Sequence, residues 1–287
     1  MELSEGRGDA PASHRPEDSA VLARSSARRS FVDLHCHTSA SFDSLATPAA
    51  VVRAAAARGL THLAITDHDR IDGAGEARAV ASAEALELEV LIGQEIRTTA
   101  GDLIGLFLHE SIPPGLAPAE AIAAVREQGG LVGAAHPFDR FRGSVGRGEA
   151  TAIEALAGGL DWIEAWNARL MLGDGNARAA ELALRLGIPG VAVSDAHTTF
   201  ELGISATILR GDPSTPDGLR AALAGPLELV TGRASAYVRL LGPAAKLVQR
   251  ARGRGRVRVL GPMARKGVAS VLGEPAAGSK GDSVPDR

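Results

Sequence analysis

One cysteine, Cys36, stands in 287 residues. That excludes an internal disulfide framework and fits a reducing cytosol. No apolar run approaches the roughly 18–20 residues of a membrane span. The polar N-terminus lacks the apolar segment of a secretory signal. The expectation is a soluble cytoplasmic protein without membrane contact. No glycine-rich phosphate loop of the P-loop or dinucleotide kind is present, which removes the chemistry those loops support. Lysine is nearly missing, with 3 residues against 28 arginines, and the first is Lys246. A formal net charge of −3 gives the whole molecule no electrostatic footprint for nucleic acid.

What remains suits one large α/β domain. An apolar fraction of 45% supplies a core, and barrels of this length commonly form a single unit. Residues 1–30 mix Gly, Ser, Pro and charge without periodicity and read as a disordered N-terminal arm. Helix signals then alternate with apolar runs. Thr47-Pro48 is an N-cap followed by proline at the first helical position, and Gly59 closes that helix. Residues 75–86 are Ala/Glu-rich and helical. Pro118 opens a helix ending at Gly129-Gly130, and residues 149–157 form a short one. Residues 176–186 end at Gly187 with Pro189 beyond. Thr215-Pro216 opens a last short helix. Residues 31–232 therefore read as parallel βα units. Seven units suit a distorted (β/α)7 barrel better than the usual eight. Residues 233–287 read as a basic, Gly/Pro-containing tail, with 11 Lys and Arg against 3 Asp and Glu from Arg239 onward. Lacking interleaved aromatics, the tail reads as a solvated segment or a weak polyanion-binding arm.

Seven apolar runs, at 31–37, 62–68, 90–95, 102–107, 131–136, 161–164 and 191–197, carry metal-type residues. A parallel barrel gathers its chemistry at the C-terminal ends of its strands, so these residues converge on one polynuclear hydrolase site. His35 and His37, two apart on a strand, face the same side. Asp195 and His197 repeat that spacing on the last run, which closes the barrel opposite the first. His68 adds an imidazole. Asp67 either ligates or accepts a hydrogen bond that fixes the His68 tautomer, and the second role is favoured. Glu95 ends an apolar run and can bridge two ions. His136 precedes Pro137 at another strand end. Asp43, in the Ser-rich loop after the first run, can reach a third ion, and Asp102 is a weaker candidate. His62 lies at the other end of its run and reads as structural; His14 and His109 read as bystanders. Ser39, Ser41 and Ser44 have no activating partner, so metal-activated hydroxide is the simplest nucleophile.

Two barrel families open with His-x-His on the first strand. The amidohydrolases commonly bridge their metals with a carbamylated lysine on a middle strand. With Lys246 the first lysine, that version is impossible here, and Glu95 is the natural substitute. The residues His35-Cys-His37, Thr66-Asp-His68, Gly93-Gln-Glu95, His136-Pro137 and Ser194-Asp195-Ala-His197 resemble the PHP (polymerase and histidinol phosphatase) family over about 31–232. The resemblance implies a distorted (β/α)7 barrel, two or three Mn, Zn or Fe ions, and phosphoester hydrolysis. It implies that His35, His37, Glu95 and Asp195 hold one ion, Glu95 and His136 a second, and Asp43, His68 and His197 a third. Where the family often has a histidine in its fourth strand this chain has Asp102, which either substitutes as an oxygen ligand or leaves the second site weaker.

Within the family, the short free-standing form resembles phosphoesterases acting on nucleoside 3′,5′-bisphosphates and 5′-phosphorylated oligonucleotides. Arg140, Arg142 and Arg169 follow strand ends and suit bidentate phosphate binding, with surface charge the competing reading. Asn167, after Glu164, orients substrate or water, or is structural. The expected substrate is a phosphorylated small molecule or short oligonucleotide, and no stable protein partner is expected. A histidinol-phosphate-type small-molecule phosphatase and a non-catalytic PHP-like module are the alternatives.

Overall fold

The computed structural model describes residues 28–139, 142–145, 150–170 and 172–255. The chain divides into units 1–256 and 257–287, and only the first holds described residues. Its strands are β1 (Arg29–Cys36), β2 (His62–Ile65), β3 (Glu89–Thr98), β4 (Gly101–Leu106) and β5 (Leu131–Ala134). They continue with β6 (Trp162–Asn167), β7 (Gly190–Val193), β8 (Ser205–Arg210) and β9 (Glu228–Thr231). The helices are α1 (Pro48–Ala57), α2 (Asp72–Ala83), α3 (Pro118–Glu127), α4 (Ala150–Glu154), α5 (Gly175–Leu186), α6 (Pro216–Leu223) and α7 (Ala236–Ala251). None among the described residues is long and apolar enough to cross a membrane.

The expected caps form. Thr47 accepts from the Ala50 N–H at 3.2 Å and Thr215 from the Gly218 N–H at 3.1 Å, each followed by proline at the helix start. Gly187 ends α5 with φ of 65°, a left-handed position that glycine adopts without a Cβ penalty.

All nine strands join one sheet in the order β7-β6-β5-β4-β3-β2-β1-β8-β9. The edge strand β7 also returns to β1: Cys36 bridges Ala196, and the Asp195 N–H donates to the His35 carbonyl at 2.9 Å. The result is a nearly closed, distorted α/β barrel, as expected. The last run therefore lies beside the first strand, not opposite it. One buried cluster draws Leu34, Ala64, Leu91, Ile104, Leu131, Trp162 and Val191 from β1–β7, and Leu219 and Leu223 of α6 join it. A second packs α1 and α2 against β1–β3, and a third packs α3 and α5 against β3–β6.

Three features depart from uniform βα repetition. First, β4 runs antiparallel to both β3 and β5. Only Thr99 and Ala100 separate β3 from β4, far too few for a parallel crossover, which needs about a dozen residues. Gly101 makes this hairpin possible. Its φ is +133°, and a Cβ there would lie 2.2 Å from the Val145 nitrogen. The reversal places Asp102 at the start of β4, paired with Arg97, at the rim where β3 delivers Glu95. Second, β8 and β9 extend the sheet beyond the seven expected strands, β8 antiparallel to β1 at residues 29–32. Third, the stretch read as a tail from residue 233 begins with the sixteen-residue helix α7. Gln249 fastens it: its buried amide nitrogen donates to the carbonyls of Ser39 (2.7 Å), Ser41 (3.0 Å) and Ser44 (2.7 Å). Of the arm read over residues 1–30, Arg29 and Ser30 instead belong to β1, where they pair with Arg210 and Leu209 of β8, while the residues up to 27 and the tail beyond 255 lie outside the described residues.

Candidate metal centre

At the barrel rim the ends of β1, β2, β3, β5 and β7 bring five histidines together with Asp43, Glu95, Asp102 and Asp195. His35 and His37 present their Nε2 atoms 3.0 Å apart. Glu95 Oε2 lies 3.3 Å from the first and 3.2 Å from the second. Asp195 Oδ1 lies 3.7 Å and 3.5 Å from the same two nitrogens. Ligand atoms about 2.1 Å from a tetrahedral ion stand roughly 3.4 Å from one another, and these five separations bracket that value. Two further groups adjoin the first. Asp43 Oδ2 is 3.4 Å from His68 Nε2 and 3.3 Å from His197 Nε2. Glu95 Oε1 is 2.9 Å from His136 Nε2, with Asp102 within ligand-sharing range of both.

The donor set fits metal ions on a second ground. Asp195 Oδ1, which faces His35 and His37, and His68 Nδ1, 3.3 Å from Glu95 Oε2, are buried without a hydrogen-bond partner among the described residues, and a buried polar atom left unpaired is costly. A cation held among them would complete them. His136 and Asp195 also sit at positive φ, 27° and 52°. Such backbone persists in non-glycine residues only where the surroundings enforce it, often at functional sites.

The electrostatics follow from this crowding. Burial drives the Glu95 carboxyl upward, but the charges of His68 and His35 and the hydrogen bonds from His136 and His35 hold it well below the usual carboxylate range. Asp43 is likewise opposed by burial and held well below by His197 and His68. Burial lowers His37. It also works against His35, yet Glu164 and Glu95 bring His35 up to about 10. His197 is driven well down by burial and by Arg169.

A second ring of contacts aims the ligands. Glu164 Oε1 lies 2.6 Å from His35 Nδ1, while its Oε2 accepts from the His136 N–H at 2.8 Å and the Asn167 amide at 2.9 Å. Asn167 also donates to Asp195 Oδ2 at 3.0 Å. A carboxylate on the far nitrogen of a ligating histidine fixes tautomer and ring orientation. Ser41 Oγ lies 3.1 Å from His37 Nδ1 and accepts from the His68 N–H, which makes it a brace. Glu201 accepts from the His197 and Thr198 N–H groups, both at 3.0 Å, and pairs with Arg169 at 3.3 Å. Phe42 stacks on His68 with ring centres 4.7 Å apart.

The structure brings together His35, His37, Asp43, His68, Glu95, Asp102, His136, Asp195 and His197, the ligand candidates of the sequence. It alters two roles. Asp67 does not bond the His68 ring; its buried oxygens accept from the Thr38 N–H and hydroxyl, both at 2.6 Å, and tie down the loop after β1. Arg142 pairs with Asp195 and, at 2.6 Å, with Asp139, and donates to Asn167 Oδ1 at 3.2 Å, so its guanidinium is bound into the ligand shell. Arg140 lies outside the described residues. Glu164 and Glu201 had no assigned role. Glu164 stands at one of the marked strand ends, so its signal was present; Glu201 follows the last motif by four residues and carries no pattern of its own. His62 contacts Thr61 and Ser214 away from the centre, as a structural residue does.

Fold and side chains define an α/β barrel with several possible metal-binding clusters at its rim. The PHP domain family matches residues 33–159, and the PHP-associated family matches 173–224. An uncharacterised protein of Methanocaldococcus jannaschii is 42% identical over 116 residues, 37% of this chain and 67% of that protein. A 5′-3′ exoribonuclease of Haemophilus influenzae is 36% identical over 100 residues, 33% of this chain and 35% of that enzyme. A two-domain Bacteroides vulgatus protein containing a predicted PHP-like metal-dependent phosphoesterase shares the fold, with a TM-score of 0.56 at 21% identity. That likeness covers 71% of this chain and 65% of the other. The chain belongs to the PHP family.

Proposed function

We propose that the protein is a metal-dependent phosphoesterase acting on a nucleotide or a short 5′-phosphorylated oligonucleotide. The observation that carries this reading is the contiguity of the three ligand groups. Glu95 reaches the nitrogens of His35, His37, His68 and His136, so one carboxylate joins neighbouring sites. Divalent ions bound there would polarise a phosphoryl oxygen and lower the pKa of water. His35, His37, Glu95 and Asp195 would hold one ion, Asp43, His68 and His197 another, and Glu95, Asp102 and His136 a third; Mn, Zn and Fe all suit such donors.

The chain's own residues do the rest. Glu164, Asn167 and Glu201 hold the ligands in place. Arg142 and Arg169 line the same cavity, of about 350 Å³, and each, although paired with an acidic neighbour, adds positive charge to the wall a phosphate would face. In the net reaction water adds to phosphorus, the ester P–O bond breaks, and the alcohol leaves with a proton. The exoribonuclease relative supports a nucleic-acid-derived substrate. The modest cavity favours the alternative of a small monoester of the histidinol-phosphate kind, and the assay separates the two.

The test is product release by Mn-supplemented protein from a nucleoside 3′,5′-bisphosphate and a short 5′-phosphorylated RNA, with Asp195→Ala and His197→Ala as controls. Turnover that both variants lose supports the reading. Turnover on neither substrate, with metal bound, overturns the nucleotide assignment, and phosphate release from the amino-alcohol ester alone identifies the alternative.

A further inference from the structure

Helix α7 walls two adjoining cavities at the barrel mouth. The first is the charged cavity of the metal centre, to which α7 contributes Gly242, Pro243 and Lys246. The second, of about 400 Å³, lies between α7, the start of α1 and the loop after β7. The two share Asp43, Arg169, His197 and Gly242, so they adjoin at the metal ligands themselves. Beyond that shared wall the second chamber changes character. Leu45, Ala46, Val238, Leu241 and Ala245 supply an apolar surface, and Thr198 and Thr199 add hydroxyls at one end. Leu45 and Leu241 are 40% and 48% exposed there, apolar area left open to water beside a site built for ions. A sizeable, largely preformed concavity with apolar walls and a few polar groups is how proteins bind small organic ligands.

We propose that this chamber holds the organic part of the substrate, a mostly apolar group attached to the phosphate that sits at the metal centre. The inference rests on the phosphoesterase reading and adds what selects the ester. The charged cavity recognises the phosphate common to all candidates. The apolar chamber discriminates by the group the phosphate carries, and α7 is the element that makes the discrimination.

The test is calorimetric titration of the full chain with 1-naphthyl phosphate and with ethyl phosphate, in parallel with phosphate release from each. Two variants on exposed positions of α7 are compared: Leu241→Asp, which puts a charge on the chamber wall, and Leu247→Asp, which lies on the same helix and lines neither cavity. The naphthyl ester is expected to bind about tenfold or more tightly than the ethyl ester. Leu241→Asp should abolish most of that preference and Leu247→Asp should keep it. Equal affinities, a Leu241→Asp variant that binds as the parent does, or no binding of either ester overturns the chamber. Preferential binding of the naphthyl ester without phosphate release from either ester keeps the chamber and overturns the phosphoesterase reading.

Discussion

Glu164 and His35 form a fully buried pair, carboxylate Oε1 to imidazole Nδ1 at 2.6 Å. The pair reaches from β6 to β1, strands well separated in the sheet order. Burial raises the Glu164 carboxyl, but the charge of His35 and its hydrogen bond bring it below its ordinary range. The consequence for His35 is directional: Nδ1 is committed to Glu164, so Nε2 faces Glu95, His37 and Asp195.

Glu164→Gln tests that commitment. The shape is kept, but the charge goes and one oxygen becomes an amide donor facing existing donors. Loss of such a supporting partner weakens metal binding about 10–100-fold. Titration of Mn or Zn into the metal-free variant should show that loss, with an unchanged far-ultraviolet spectrum. An affinity equal to the parent's would mean that His35 needs no orienting partner.

Removal of metal should destabilise the protein. A ligand that binds only the folded state at a hundred times its Kd adds about 2.7 kcal/mol. Thermal unfolding should therefore shift upward with Mn and downward with chelator. Asp195→Ala and His197→Ala should each shrink the metal-dependent shift. A melting temperature indifferent to both metal and chelator would contradict the ligand assignment.

Much of this centre was legible in the sequence because metal chemistry restricts residue type and a barrel restricts place. His35 and His37, and Asp195 and His197, show two-residue spacing, and strand geometry turns that spacing into a shared face. The fold was less legible where connections are short. The two residues between Thr98 and Gly101 force a hairpin, yet an apolar run reads the same in either direction, so β4 passed for another parallel strand. The role of Glu164 depends on a contact 129 residues away, and no local pattern carries that. Asp67 beside His68 was read as its partner, but the ring points into the centre while the carboxylate turns to Thr38. In α7 the basic, Gly/Pro-punctuated composition hid a helix that Gln249 anchors.

Stability should depend on pH through Asp33. Burial raises its carboxyl from 3.8 to about 6, against hydrogen bonds from Ser194 and His35 that lower it. Below about pH 4 the group is protonated in both folded and unfolded chains and makes no difference. Between about 4 and 6 the folded protein keeps a proton that the unfolded chain has lost, so stability falls as pH rises. Above 6 the penalty is constant, on the order of 3 kcal/mol. Asp33→Asn cannot titrate, whereas the depressed carboxyls Asp43, Glu95 and Glu164 are common to both proteins and largely cancel in the comparison. Urea unfolding in chelator should show parent minus variant stability dropping between pH 4 and 6.5. A flat difference would refute the raised Asp33.

Gln249 sets the last expectation. Its amide is the clasp between α7 and the loop after β1, and that loop carries Ser41 and Asp43. Gln249→Met keeps the length and apolar stem but removes the donor, leaving three carbonyls of the loop to find other partners or none. An unmade hydrogen bond at a buried group costs about 1–3 kcal/mol, and the cost falls on α7 and the loop together. Two effects should appear. Denaturant unfolding should lose about that amount, and hydrogen exchange should speed up in residues 236–251 and 38–46 while β2 and β5 stay protected. Because Ser41 braces His37 and His68, metal affinity should fall as well, though less than in Glu164→Gln. Faster exchange confined to α7, with the loop and metal binding untouched, would show that the helix rests on the rim without shaping the ligands beneath it.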